Sequence, residues 1–247
     1  MSAVVIYKIG RLSRAFLCIA GLLISACTTV PEIVYIQDPD VPDYKAGTHR
    51  IEDPIDLFIE PRIRALVTRV TPRSDTDVFR DVSVIAGPAL ETALLTLTRH
   101  HFSRATPVQA TGNRPTLSYE LLTYKPVITV VPGALRTQLI VSARLALQIT
   151  VRSAQGEDLF STTAIGTSHV SDTKFSPGKK SKGYSQLLEV VTRNAIIDAM
   201  YEISRIFGNS SESIGKNVRN SEIDPRIAIE TFEDVVMYLR TVPGGPT

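Results

Sequence analysis

The chain has 247 residues, with 27 Lys and Arg against 25 Asp and Glu, 43% hydrophobic residues and two cysteines. That length accommodates one or two domains with a buried core, and the hydrophobic share and mixed charge exclude a wholly disordered chain. Two cysteines exclude a disulfide-dense scaffold and a four-thiolate metal site, and a net charge of +2 gives no reason to expect a nucleic-acid partner.

The charge is unevenly spread. Residues 1–26 hold Lys8, Arg11 and Arg14 and no acidic residue, which leaves 24 basic against 25 acidic side chains in the remainder. After Arg14 an apolar run, Ala15 to Ile24, ends in the small residues Ser25 and Ala26 and then Cys27. A basic start, a short apolar stretch and small residues are the parts of a secretory signal peptide. The run falls short of the ~20 residues that a membrane-spanning helix needs. Ile24-Ser25-Ala26-Cys27 resembles the bacterial lipobox, in which the cysteine is lipidated and becomes the new N-terminus. The resemblance implies that residues 1–26 are removed. It leaves a mature chain of 221 residues with one cysteine, Cys27, held stably by acyl chains. An ordinary signal peptide cut near Ala26, with Cys27 free, is the alternative. Thr28 stands where inner-membrane lipoproteins tend to carry Asp, so the family's sorting rule implies the outer membrane, facing the periplasm.

Residues 27–59 read as the lipidated cysteine and an extended tether. Pro31, Pro39, Pro42 and Pro54 interrupt them, and Asp38-Pro39-Asp40-Val41-Pro42-Asp43 suits neither a helix nor a central strand. Such a tether would hold a domain away from the membrane. Its aspartates lack the turn glycine and distal Glu of a calcium loop. Arg62 to Val70 is rich in β-branched residues and reads as a strand ended by Pro72. Asp81 to Phe102 has helical spacing through Leu90, Leu94 and Leu97, with a start or kink at Gly87-Pro88. A short strand is expected near Pro107-Val108-Gln109. From Thr137 to Arg152, Leu139, Val141, Ala143, Leu145, Leu147, Ile149 and Val151 alternate with mostly polar residues. That is a strand with one dry face. With Thr116–Val131 before it and Leu159–Val170 after it, the pattern is a three-stranded antiparallel meander. Tyr184 to Phe207 gives a second long helix, which Gly208 is placed to end. Asp224 and Pro225 open a last amphipathic helix. The expected fold is therefore α+β: an antiparallel sheet with a three-stranded meander, two long helices on one face and an extra C-terminal helix. The periplasmic domain would span residues 60–208, with a linker and the last helix in 209–247.

This order, together with the lipobox at Cys27, the helix at Leu90–Leu97 and the meander strand Ala143–Val151, resembles small bacterial outer-membrane lipoproteins of the YajG type. The lipopolysaccharide-assembly lipoprotein and some penicillin-binding-protein activators share a similar helix-on-sheet plan. The resemblance covers roughly Arg62 to Phe207 and carries no catalytic residue. The C-terminal helix and the long tether depart from its pattern.

The sequence holds no phosphate-binding glycine loop, zinc-binding His-Glu-x-x-His or Gly-x-Ser-x-Gly elbow. His100 and His101 point about 100° apart on a helix, so they cannot jointly grip a metal. No cofactor, metal or enzymatic activity is expected. Two segments are candidate contact sites. Lys174, Lys179, Lys180 and Lys182 flank Ser176-Pro177-Gly178 in a basic loop suited to anionic lipid or lipopolysaccharide phosphate, with a plain solvated surface loop as the alternative. Val127, Ile128, Val130 and Val131 lead into Pro132-Gly133 in a hairpin apolar on both faces. It is suited to insertion into a lipid or protein partner or to edge pairing, unless the C-terminal helix covers it. The expected role is a non-enzymatic accessory or binding factor of the envelope, attached to the membrane by its N-terminal lipid. A lipid or solute carrier with a cavity between sheet and helices is the alternative.

Overall fold

The structure, a computed structural model, describes residues 31–41, 50–73, 80–132, 137–175 and 182–222. In chain order its elements are β1 (Glu32–Tyr35), β2 (Ile55–Ile59), the single-turn α1 (Pro61–Arg64), β3 (Val67–Val70), β4 (Val82–Ile85), α2 (Gly87–His101) and β5 (Ala105–Val108). Then follow β6 (Thr116–Val131), β7 (Thr137–Arg152), β8 (Asp158–Phe175) and α3 (Lys182–Glu222).

The strands form two mixed sheets, of order β5-β2-β6-β7-β8 and β1-β4-β3. β6, β7 and β8 are an antiparallel meander. β2, however, runs parallel to both β5 and β6, and β1 runs parallel to β4. This corrects the expectation of one antiparallel sheet. Ile55–Ile59 is an interior strand with Ile55, Leu57, Ile59 and even Asp56 buried, so it shows none of the alternation that marks a half-wet strand. The chain thus enters its sheets well before residue 60.

The helices differ from expectation too. Among the described residues there is one long helix, not two: α3 has 41 residues and α2 has 15. α3 runs straight through Gly208, because Phe207, Ser211, Ile214 and Val218 continue its buried stripe. That packing outweighs the ~1 kcal/mol that a mid-helix glycine costs. α2 begins at Gly87-Pro88, and the four residues Val82–Ile85 before it are strand. Arg62–Val70 divides into the end of α1 and β3. The proposed C-terminal helix lies outside the described residues.

α3 lies along the meander from end to end. At ~1.5 Å per residue it is about 60 Å long, matching the 18-residue β8 at ~3.3 Å per residue. Its first turn reaches the start of β4, where the Tyr184 hydroxyl donates to the Arg80 carbonyl at 3.3 Å. Its last turns reach the start of β8, where Asn217 Nδ2 donates to the Leu159 carbonyl at 3.4 Å. Between them Leu188, Val191, Ala195, Ala199, Ile203 and Phe207 are fully buried.

Three polar pairs, two of them fully buried, tie the layers together. Tyr119 and Thr98 hydroxyls lie 3.0 Å apart between β6 and α2, and Tyr124 and Thr192 hydroxyls 2.9 Å apart between β6 and α3. His101 Nε2 lies 2.7 Å from Ser204 Oγ between α2 and α3. Burial raises both tyrosine pKa values, so both rings stay neutral hydrogen-bonding groups. Among the described residues no buried side-chain polar atom lacks a partner. Arg50 closes the C-terminal end of α2, donating from Nε to the His100 carbonyl at 2.9 Å and from Nη2 to the Arg99 carbonyl at 2.8 Å.

Candidate functional site

One end of the fold gathers most of the segments singled out from the sequence. β1 starts there: the Glu32 N–H donates to the Asp81 carbonyl at 3.2 Å, next to the Arg80 carbonyl held by Tyr184. β6 ends there at Val131 and β7 begins there, with Thr137 paired to Phe175 at the end of β8. α3 begins there at Lys182. The chain arriving from Cys27, the hairpin and both flanks of the lysine loop therefore meet at one pole. Lys174 is the next-to-last residue of β8 and Lys182 opens α3, while Lys179 and Lys180 lie outside the described residues.

The hairpin strand is not apolar and open on both faces. Ile128 and Val130 point into the core and are buried, Val127 is half-buried, and Val131 is 40% exposed at the tip. The edge of β6 is also covered here. The Arg73 N–H donates to the Ile128 carbonyl at 2.9 Å, and the Val130 N–H donates to the Arg73 carbonyl at 3.0 Å. Edge pairing with another chain is thus blocked at Ile128–Val130, and Val131 alone of the four named residues is presented outward. Whether the C-terminal helix touches the hairpin falls outside the described residues.

The outer faces of the two sheets contrast. On the large sheet, Gln148 Nε2 donates to Ser161 Oγ at 2.8 Å, Thr163 Oγ1 donates to Gln148 Oε1 at 3.0 Å, and Gln138 Nε2 donates to Ser171 Oγ at 2.8 Å. That is a face built for water. On the small sheet, Tyr35, Ile85 and Val67 are directly opposite one another across three strands. Tyr35 is 67% exposed, Val67 57%, and Ile33 beside them 51%. Sequence reading missed this face because Ile33-Val34-Tyr35-Ile36, an unbroken apolar run, sits among the prolines of the supposed tether. That run was the available signal.

No protein-family model matches the sequence, and no curated protein matches it. Among solved structures, a Xanthomonas campestris protein of the DUF330 family is similar over 76% of this chain and 98% of its own, at 10% identity and a TM-score of 0.45. A minor lipoprotein from Acinetobacter baumannii is similar over 65% and 95%, at 16% identity and 0.36. A neuraminyllactose-binding hemagglutinin homologue from Helicobacter pylori is similar over 71% and 98%, at 10% identity and 0.42.

Glu60 braces an irregularity in the large sheet. Glu60 Oε2 accepts the Leu121 N–H at 2.8 Å, where β6 bulges between Leu121 and Thr123, and its other oxygen takes Arg62. Burial pushes the Glu60 carboxyl upward, but the Arg62 and Leu121 hydrogen bonds outweigh it and hold the group ionised below its usual range. His169 is exposed on the outer face of β8, opposite Ser142. Among the described residues no cluster of His, Cys, Asp or Glu is arranged to hold a metal, and no helix is long and apolar enough to cross a membrane. Two polar-walled clefts lie away from the pole described above. One, of about 530 Å³, is beside the β7–β8 turn and includes Thr116, Arg152 and Asp158. The other, of about 440 Å³, separates the end of α3 from Arg50–Asp53 and is bridged by Arg219 and Asp53 at 3.0 Å.

Proposed function

We propose that the protein is a lipoprotein of the bacterial outer membrane, anchored at Cys27, whose periplasmic α+β domain is a non-enzymatic binding factor of the envelope. The observation that carries this reading is the lipobox Ile24–Cys27, followed only five residues later by the first strand of the fold. Signal sequence, anchor and domain thus follow one another without a gap, in the order that the YajG-type resemblance implies. In cells fed labelled palmitate, the wild-type chain should be labelled and sediment with membranes, and Cys27→Ala should lose both properties. Equal labelling of the two would remove the anchor.

The lysine segment supports the binding half of the reading. Lys174 and Lys182 stand at the pole where the chain arrives from the membrane, and a lysine near an anionic surface contributes about 1 kcal/mol. Changing Lys174, Lys179, Lys180 and Lys182 to Glu in the unacylated Cys27→Ala chain should weaken binding to phosphatidylglycerol vesicles more than tenfold. The difference should shrink as salt rises. Unchanged binding would take the loop off the surface. A carrier with its ligand between sheet and helices needs room there, and the contact of α3 with β8 at Gly166 leaves none at that level.

A further inference from the structure

We infer that the outer face of the small sheet, formed by Ile33, Tyr35, Val67 and Ile85, rests on the lipid surface to which the chain is anchored; the inference depends on acylation of Cys27. Ile33 is six residues after Cys27, and at ~3.6 Å per residue that stretch spans at most about 22 Å. An anchored Cys27 therefore confines this face to the neighbourhood of the headgroups, and a contact made under such confinement needs little affinity of its own.

The chemistry of the face fits a bilayer interface. Tyr35, Ile85 and Val67 form a continuous apolar row across all three strands, with Ile33 next to it. Contiguous exposed apolar surface of this kind marks a contact site, and the amphipathic ring of tyrosine is suited to the headgroup level. The one cation on the face, Arg69, donates from Nε to Asp81 at 2.6 Å, so the row carries no unpaired charge into lipid. The water-facing Ser, Thr and Gln lattice of the large sheet shows what the same fold presents where it meets solvent. α3 releases the chain at Glu222, near the start of β8, whereas β1 and β4 begin beside Tyr184, some 38 residues or ~57 Å back along the helix axis.

The chain contains no tryptophan, so a single introduced one reports its own surroundings. Tyr35→Trp, Val67→Trp and, on the large sheet's outer face, Ile165→Trp would be made in the full-length acylated chain. Each would be reconstituted in phosphatidylethanolamine–phosphatidylglycerol vesicles whose acyl chains are brominated near the headgroup. Fluorescence at positions 35 and 67 should fall by more than half, and at position 165 by less than a tenth. Equal quenching at all three positions, in chains whose N-terminal peptide mass shows acylated Cys27, would overturn the inference and leave the anchor standing. Shielding of positions 35 and 67 that grows with protein concentration without lipid would assign the face to a second copy and also overturn it. An unacylated N-terminal peptide would overturn the anchor and, with it, this inference.

Discussion

Replacing Gly166 with valine should lower the unfolding free energy by about 3 kcal/mol or more, seen as a lower urea midpoint at unchanged slope. Gly166 is on the inner face of β8, where α3 crosses it. A Cβ there would overlap the Ala195 carbonyl oxygen and lie 2.5 Å from the Ala199 amide nitrogen and 2.8 Å from the Ala199 Cβ. Two of these three are helix backbone atoms, which no rotamer change can move aside. Ala164, Ala195 and Ala199 are fully buried, so the seam is made of small residues on both sides. The Thr167 N–H then donates to Asp198 at 2.8 Å, fixing the helix to the edge strand at the same level. Relief requires lifting α3, and that disturbs the buried contacts of Leu188, Val191, Ile203 and Phe207 along its length. Gly166→Ala should cost about 1–3 kcal/mol. Thr167→Ala, one residue away on the exposed face, should stay within about 0.5 kcal/mol. If Gly166→Val unfolds no earlier than Thr167→Ala, the helix is not seated as described.

Between pH 7 and pH 4.5 the protein should lose about 2–3 kcal/mol of stability, and His101→Gln should remove most of that slope. Burial, reinforced by the electrostatic influence of His100 and Arg50 nearby, holds the His101 pKa down from 6.5 to about 4. The ring is 2% exposed, pairs with Ser204 and packs 5.4 Å from the Phe207 ring. Because the folded pKa is below the unfolded one, the unfolded chain takes up the proton first as pH falls. The contribution of a neutral His101 is complete above pH 6.5 and is lost as pH falls toward 4. Glu60, Asp81 and Glu202 have pKa values below their ordinary carboxylate range, so their losses come mainly at lower pH. Glutamine keeps a partner for Ser204 and does not titrate. Stability curves of wild type and His101→Gln that ran parallel from pH 6.5 to 4.5 would show that His101 protonates without penalty.

The meander was legible because Thr137–Arg152 has a wet face and a dry one, and period-two alternation has no other cheap explanation. β2 was not, because it is short, enclosed by strands on both sides and paired to segments about 50 and 60 residues further on. A helical stripe also reads too far in each direction. Leu90–Leu97 drew Val82–Ile85 into α2, and Gly208 ended α3 on paper although the buried stripe resumes at Ser211 and Ile214. Composition and spacing marked the lysine loop and the hairpin separately. Their meeting with the start of β1 is a matter of topology. The tie between His101 and Ser204 joins residues 103 apart and leaves no local pattern at all. Of the residues given a role in the proposed function, Cys27 has a readable local signature, since a lipid-attachment site would have to be recognised in an unfolded chain.

The position of β2 bears on the timing of assembly. Ile55–Ile59 is a central strand whose two neighbours, Ala105–Val108 and Thr116–Tyr119, come much later in the chain. β1 likewise waits for Val82–Ile85, and the whole meander waits for α3 to cover it. Closing such long loops is slow compared with forming local contacts. A nascent chain threading through a membrane pore from its N-terminus would therefore have no stable subdomain to jam the passage. The proposed anchor at Cys27 could be attached while the rest was still extended, and the domain would close only once α3 had crossed.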